Sequence, residues 1–159
     1  MARPVDSRRV GLVSDTHGLL RPDLVQALDG CALIVHAGDV GSAEVLQGLR
    51  EVAPVVAVRG NVDRGPWVRQ LRHTEVVEVG GALLYVIHDL ADMDLDPVAA
   101  GFQAVISGHT HKPGSHRDRD VLYINPGSAG PRRFRGPVSA ALLHVGDEDL
   151  EVEWIELPG

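Results

Sequence analysis

Seven residues carry oxygen or nitrogen donors suited to a divalent cation. They fall in five short stretches: Asp15-Thr16-His17, Gly38-Asp39, Gly60-Asn61, His88 and Gly108-His109-Thr110-His111. Asp15 and His17 are two apart, as are His109 and His111. In an extended segment residues i and i+2 point the same way, so each pair can reach one centre or two adjacent ones. The donors are carboxylates, one amide oxygen and imidazoles, with no sulfur. That mixture suits Mn2+, Zn2+, Fe2+ or Ni2+ better than the all-oxygen shell of Ca2+. Seven donors are too many for one tetrahedral ion; they fit two ions ~3.5–4 Å apart that share a carboxylate. With Asp15 and Asp39 as the only charged ligands, two divalent ions leave a surplus of about +2, which attracts a phosphate oxygen and lowers the pKa of bound water. A metal-bridging hydroxide could then attack phosphorus in line, with the transition-state charge spread over the metals. The reaction class that follows is hydrolysis of a phosphoester.

Each stretch follows a short apolar run, and ligands gather at the carboxyl ends of strands in α/β sheets. Residues 10–13, 32–35 and 55–58 are predicted strands. Between them, residues 22–28 read as a helix with Pro22 near its start and Gly30 beyond its end. Residues 43–51 read as a second helix, with Ser42 as its cap and Val45, Leu46 and Leu49 facing inward. Residues 75–79 and 82–87 flank Gly80-Gly81, a two-residue hairpin signal. A short helix over 97–100 ends at Gly101, and strands are predicted at 104–106, 121–124, 140–145 and 150–155. Strand–helix alternation followed by hairpins predicts a layered α/β fold with mixed sheets.

Composition narrows the partners. At 159 residues, without linker or repeat, the chain is expected to be one domain over 1–159. Its formal charge of −7 disfavours sequence-independent nucleic-acid binding. One cysteine, Cys31, excludes a disulfide framework and a Cys-rich zinc site, and reads as a small buried apolar residue. No apolar stretch approaches a membrane span, and the polar start lacks the form of a signal peptide. A cytoplasmic protein with no membrane partner is expected. Arg132, Arg133 and Arg135 form a local basic cluster: a solvated loop, or a clamp for substrate phosphate. His36 reads as a packed, hydrogen-bonded histidine. Residues 125–128 read either as a structural turn or as a source of backbone N–H groups for an anion.

The ordered set from Asp15 to His111 resembles the calcineurin-like metallophosphoesterase superfamily. The short length, Gly60-Asn61-Val62-Asp63 and Asn125-Pro126-Gly127-Ser128 resemble its small single-domain phosphodiesterase branch, to which the retromer scaffold subunit also belongs. The resemblance implies a four-layer αββα sandwich: two facing mixed β-sheets with helices outside. It implies one metal on Asp15, His17, Asp39 and His111 and a second on Asp39, Asn61, His88 and His109, with Asp39 bridging. Mn2+ is the expected metal, with Zn2+, Fe2+ and Ni2+ as alternatives. Asp39, Asn61 and His109 are the expected catalytic residues, and Asn125 and Arg132 the expected substrate contacts. The partner implied is a small phosphoester, and a homo-oligomer is compatible with the family. Three positions depart from its pattern. Val62 stands where much of the superfamily has a histidine that assists the leaving group, and Asp89-Leu90 follow His88 where the family has Gly-His. These departures keep a second reading open, a metal-binding scaffold with little or no catalysis.

Overall fold

The computed structural model describes residues 6–132 and 136–158. The first half runs β1 (Asp6–Val13), α1 (Pro22–Ala27), β2 (Cys31–His36), α2 (Ala43–Arg50) and β3 (Val55–Ala57). The second runs β4 (Thr74–Val79), β5 (Ala82–Ile87), α3 (Pro97–Ala100), β6 (Ala104–Ile106), β7 (Gly114–Asp118), β8 (Val121–Asn125), β9 (Val138–Val145) and β10 (Leu150–Leu157). Short 3₁₀ turns occupy Pro66–Gln70 and Leu90–Asp92.

Ten strands form two five-stranded sheets, ordered β10-β9-β1-β2-β3 and β4-β5-β6-β8-β7. Both are mixed. β1, β2 and β3 are parallel, as are β5, β6 and β8, and the flanking strands pair antiparallel. Period-two alternation explains the layers. Val10, Leu12, Ala141 and Leu143 of one sheet share a buried cluster with Leu84, Val86, Ile106 and Ile124 of the other, so the sheets face each other. Their neighbours Val13, Ile34 and Leu142 point outward, against Leu24 and Leu28 from the α1 segment and Val45, Leu46 and Leu49 from α2. Tyr85, Ile87 and Val105 form the outer face of the second sheet, packed with Met93, Leu95 and Phe102 around α3. The result is the αββα sandwich.

The hairpin turn is as expected: Gly80 and Gly81 have φ of 55° and 83°, the left-handed pair that a type I′ turn requires. One local expectation fails and one strand goes unsignalled. Ser42 occupies the N-cap position of α2, but its hydroxyl makes no capping hydrogen bond. Strand β7 has no sequence signal, because all five of its residues are exposed; the β8 ladder positions it. Cys31 is buried, and among the described residues no helix is long and apolar enough to cross a membrane.

Candidate metal centre

The parallel strands β1, β2 and β3 of one sheet, and β5 and β6 of the other, carry the five predicted stretches at their carboxyl ends. The loops meet across the top of the sandwich. Asp15, His17 and His111 form one group and Asp39, His88 and His109 another, each with ligand atoms within 4.8 Å of one another. His17 Nε2 lies 3.4 Å from His111 Nε2 and 3.8 Å from Asp15 Oδ1, and His111 Nε2 lies 3.3 Å from the same oxygen. Asn61 completes the second group: its Oδ1 is 3.0 Å from His88 Nε2 and 3.3 Å from His109 Nδ1. Asp39 lies between the groups, with Oδ2 3.2 Å from His88 Nε2 and 3.9 Å from His17 Nε2. All seven predicted donors are brought together.

The convergence does not come from extended backbone. Asp15, His17, Asp39, His109 and His111 have φ between 48° and 72°, the left-handed region. Only Arg119 and Asp120 join them among the described non-glycine residues. Such a conformation costs roughly 1–3 kcal/mol per residue and persists only where the surroundings over-determine it. The extended geometry assumed for the i, i+2 pairs is corrected accordingly, while their reach to one centre or two adjacent ones holds: tight left-handed bends turn Asp15 and His17 into one group, and His109 and His111 enter two neighbouring ones.

Close packing at glycines sets the same loops. A methyl group at Gly60 would overlap the Asp39 amide and carboxylate, and one at Gly108 would strike Ser14 Oγ and the Asp15 carboxylate. Asp63, whose role was not read from the sequence, is buried and accepts N–H bonds from Gly41 at 2.9 Å and Gly60 at 2.8 Å. It ties the Asp39 and Asn61 loops together. Its only signal was its place in the Gly60–Asp63 motif. Asn125, expected at the substrate, lines the cavity beside Asp89 and also braces the His109–His111 loop. Its Nδ2 donates to Gly108 O and Thr110 Oγ1, both at 3.0 Å, and its Oδ1 accepts from Gly127 N at 2.9 Å. Arg132 is exposed and lines a small pocket with His111 and Ser128, whereas Arg133 and Arg135 lie outside the described residues.

The donors fit cations. Asp15 Oδ1 is buried and accepts no hydrogen bond, whereas Oδ2 accepts from Ser14 Oγ at 2.6 Å and from His109 N at 3.1 Å. To stay ionised, a buried carboxylate oxygen facing two imidazole nitrogens needs positive charge beside it, such as a cation. Burial accordingly raises the Asp15 pKa, with Ser14 and the nearby histidines opposing it. His88 Nδ1 donates to Ala37 O at 2.7 Å, so in the neutral ring Nε2 is a lone pair. That lone pair faces Asn61 Oδ1 and Asp39 Oδ2, two further acceptors. A cation between the three, or a second ring proton, relieves their repulsion. Burial, the largest single influence, lowers the His88 pKa, but the Asp39 carboxylate and Ala37 carbonyl together carry it above the ordinary value. At Asp39 burial likewise opposes charge, yet hydrogen bonds from His88 and the Val62 amide hold the pKa at about 2.

The departures also have places. Val62 is 43% exposed and contributes its backbone N–H to Asp39 Oδ1 at 3.0 Å. Asp89 Oδ1 caps the turn at Ala91, while its Oδ2 stands 3.6 Å from His109 Nε2. On either side of Asp89 lies a cavity. One of about 550 Å3 is lined by Arg59, Tyr85, His88 and Phe102, and one of about 330 Å3 by Leu90, Gly108, Thr110 and Lys112.

Residues 9–148 match the model of the calcineurin-like phosphoesterase superfamily domain. A probable metallophosphoesterase of Methanocaldococcus jannaschii is 34% identical, over 93% of this chain and 81% of its own length. Among solved structures, an archaeal phosphodiesterase superposes with a TM-score of 0.80 at 23% identity, covering 94% of this chain and 99% of its own. Vps29 of Entamoeba histolytica complexed with zinc superposes with a TM-score of 0.72 at 21% identity, covering 93% and 98%.

Proposed function

The chain belongs to the calcineurin-like phosphoesterase superfamily, and we propose that it is a two-metal phosphodiesterase. One observation carries the proposal: a single carboxylate, Asp39, presents the same oxygen to His88 of one donor group and His17 of the other. In this reading Asp15, His17, Asp39 and His111 hold one divalent ion and Asp39, Asn61, His88 and His109 the second. Mn2+ is the proposed metal. The ions supply Lewis-acid charge to a phosphoryl group and lower the pKa of water.

The remaining roles belong to side chains. Asp39, ionised down to a pH of about 2, supplies the bridging charge at any working pH. The Ala37 carbonyl fixes the His88 tautomer and so directs its Nε2 inward, the usual use of an outer partner on a ligating histidine. His109 sits at the open edge with its side chain 41% exposed, and in this reading it faces the leaving oxygen. Asp89 faces its outer nitrogen. Arg132, which lines a pocket with His111, neutralises non-bridging phosphate oxygens in this reading. The two cavities flanking Asp89 support a diester, since each can seat one organic substituent. Val62 donates no proton, so the favoured ester has an alcohol that leaves without strong acid assistance.

The test is hydrolysis of bis(p-nitrophenyl) phosphate in Mn2+, after chelation, and in Asp39→Ala. Mn2+-dependent turnover that is lost on chelation and in the variant is expected, with diesters preferred to monoesters. Departure at Val62, Asp89 and Leu90 supports the scaffold reading, which predicts bound metal without turnover under any metal.

A further inference from the structure

His36 is wholly buried at the end of β2, and neither of its ring nitrogens is offered to the donor groups. Its hydrogen bonds fix one tautomer. Gly38 N donates to His36 Nδ1 at 3.1 Å, so Nδ1 is the lone pair and Nε2 carries the proton. That proton goes to Thr16 Oγ1 at 3.0 Å, and the Thr16 hydroxyl donates to Val40 O at 2.8 Å. Every polar atom of the chain Gly38–His36–Thr16–Val40 is thereby used. The Thr16 carbonyl accepts from Leu19 N at 3.0 Å, which pins the residue at its backbone as well.

Thr16 is the residue between two left-handed ones, Asp15 at φ 56° and His17 at φ 48°. Fixing it leaves its neighbours no route by which to relax into ordinary backbone. We propose that His36 and Thr16 form a neutral buried brace that holds Asp15 and His17 in their left-handed bends and thereby sets the cation affinity of the Asp15–His17–His111 group. Both are positioning residues, acting through the ligands and not as ligands. The brace reaches the second group less directly. Asp63 holds Gly60 N beside Asn61, and Ala37 O holds His88, through bonds that do not pass through Thr16; His109 meets the brace only at one remove, through its N–H to Asp15 Oδ2. Its loss therefore falls on one ion more than the other. The inference rests on the two-metal reading above, and it adds an ordering of the two ions that the reading does not contain.

The experiment is Mn2+ titration by calorimetry on the full chain as wild type, Thr16→Val, Thr16→Ser and His36→Leu, with folding checked by circular dichroism. Wild type binds two ions. Thr16→Val removes the hydroxyl at nearly constant volume and is expected to weaken one ion by about tenfold or more, the usual scale for an outer partner of a metal ligand, while leaving the other near its wild-type affinity. Thr16→Ser, which keeps the hydroxyl, restores it. His36→Leu also frees Gly38 N beside the shared Asp39, so where it folds it weakens the first ion at least as much as Thr16→Val does, and Thr16→Val alone decides the ordering of the two ions. Nitrogen-15 spectra of His36 give the independent readout: a bare Nδ1 and a protonated Nε2 that do not change between about pH 5 and pH 8, the range in which an ordinary histidine titrates. A folded Thr16→Val that binds both ions as wild type does, or weakens both equally, overturns the brace. So does a His36 ring with the proton on Nδ1. A wild-type protein that binds no Mn2+ overturns the metal reading instead, a different result.

Discussion

The two donor groups differ in how they are held. Asp15 is fully buried, His17 and His111 are mostly covered, and all three stand in left-handed bends surrounded by fixed partners: Ser14, Thr16 and the Ser128 hydroxyl on the Asp15 carbonyl. In the second group Asn61 and His109 are exposed, His109 faces Asp89, and cavities open on both sides. One group is built to hold an ion, and the other to meet a substrate while holding one. Asp39 belongs to both, so it is the residue at which the difference should vanish. The same sheet ends supply both groups, and what separates them is how much of the protein packs behind each loop.

The largest effect is therefore expected at Asp39. Asp39→Ala should remove the shared charge and cost on the order of 10³-fold or more in diester turnover, with both ions lost in a metal titration. His109→Gln tests the open group alone. A fall of about 10²-fold in kcat is expected, with stability within about 0.5 kcal/mol of wild type because the side chain is exposed, as measured by steady-state kinetics beside urea unfolding. Gly108→Ala tests the buried group from behind. Its methyl would strike Ser14 and Asp15, costing roughly 1–3 kcal/mol of stability in thermal unfolding. If His109→Gln proved as destabilising as Gly108→Ala, the two groups would not be built differently.

The smallest effect, taken per pH unit, is a pH slope in the metal-free protein. Burial first, then the neighbouring His88 and His17 against the charge of Asp39, push the His36 pKa down to about 3. Below a pH of about 6.5 the unfolded chain takes up a proton that folded His36 refuses, so stability should fall with pH by about 1.4 kcal/mol per unit towards pH 3. Urea unfolding between neutral and mildly acid pH, compared with His36→Leu, isolates that component. Identical slopes in the two proteins would show that His36 is not buried neutral.

Much of this was legible in the sequence because apolar runs and their chemical endings are local. Residues 82–87 and 97–100 were delimited as the structure has them, and each donor lay where a strand stopped. Strand β7 was not legible, since Gly114–Asp118 has neither apolar alternation nor burial and is positioned by the β8 ladder. The direction of the chain at the donors was not legible either. Tertiary contacts hold the Asp and His residues in left-handed backbone, and those contacts join Thr16 to His36 and Val40, and Asp63 to Gly41, partners 20 to 24 residues apart in sequence. Asn125 carried a motif signal, but its task as a brace depends on where the Gly108–Thr110 backbone passes.

The most direct test of the account is a crystal structure grown in Mn2+ with anomalous diffraction recorded to locate the metal. Two anomalous peaks are predicted, one bounded by Asp15, His17 and His111, the other by Asn61, His88 and His109, with the Asp39 carboxylate between them. A single peak, or none within reach of Asp39 in a crystal soaked at saturating Mn2+, would contradict it.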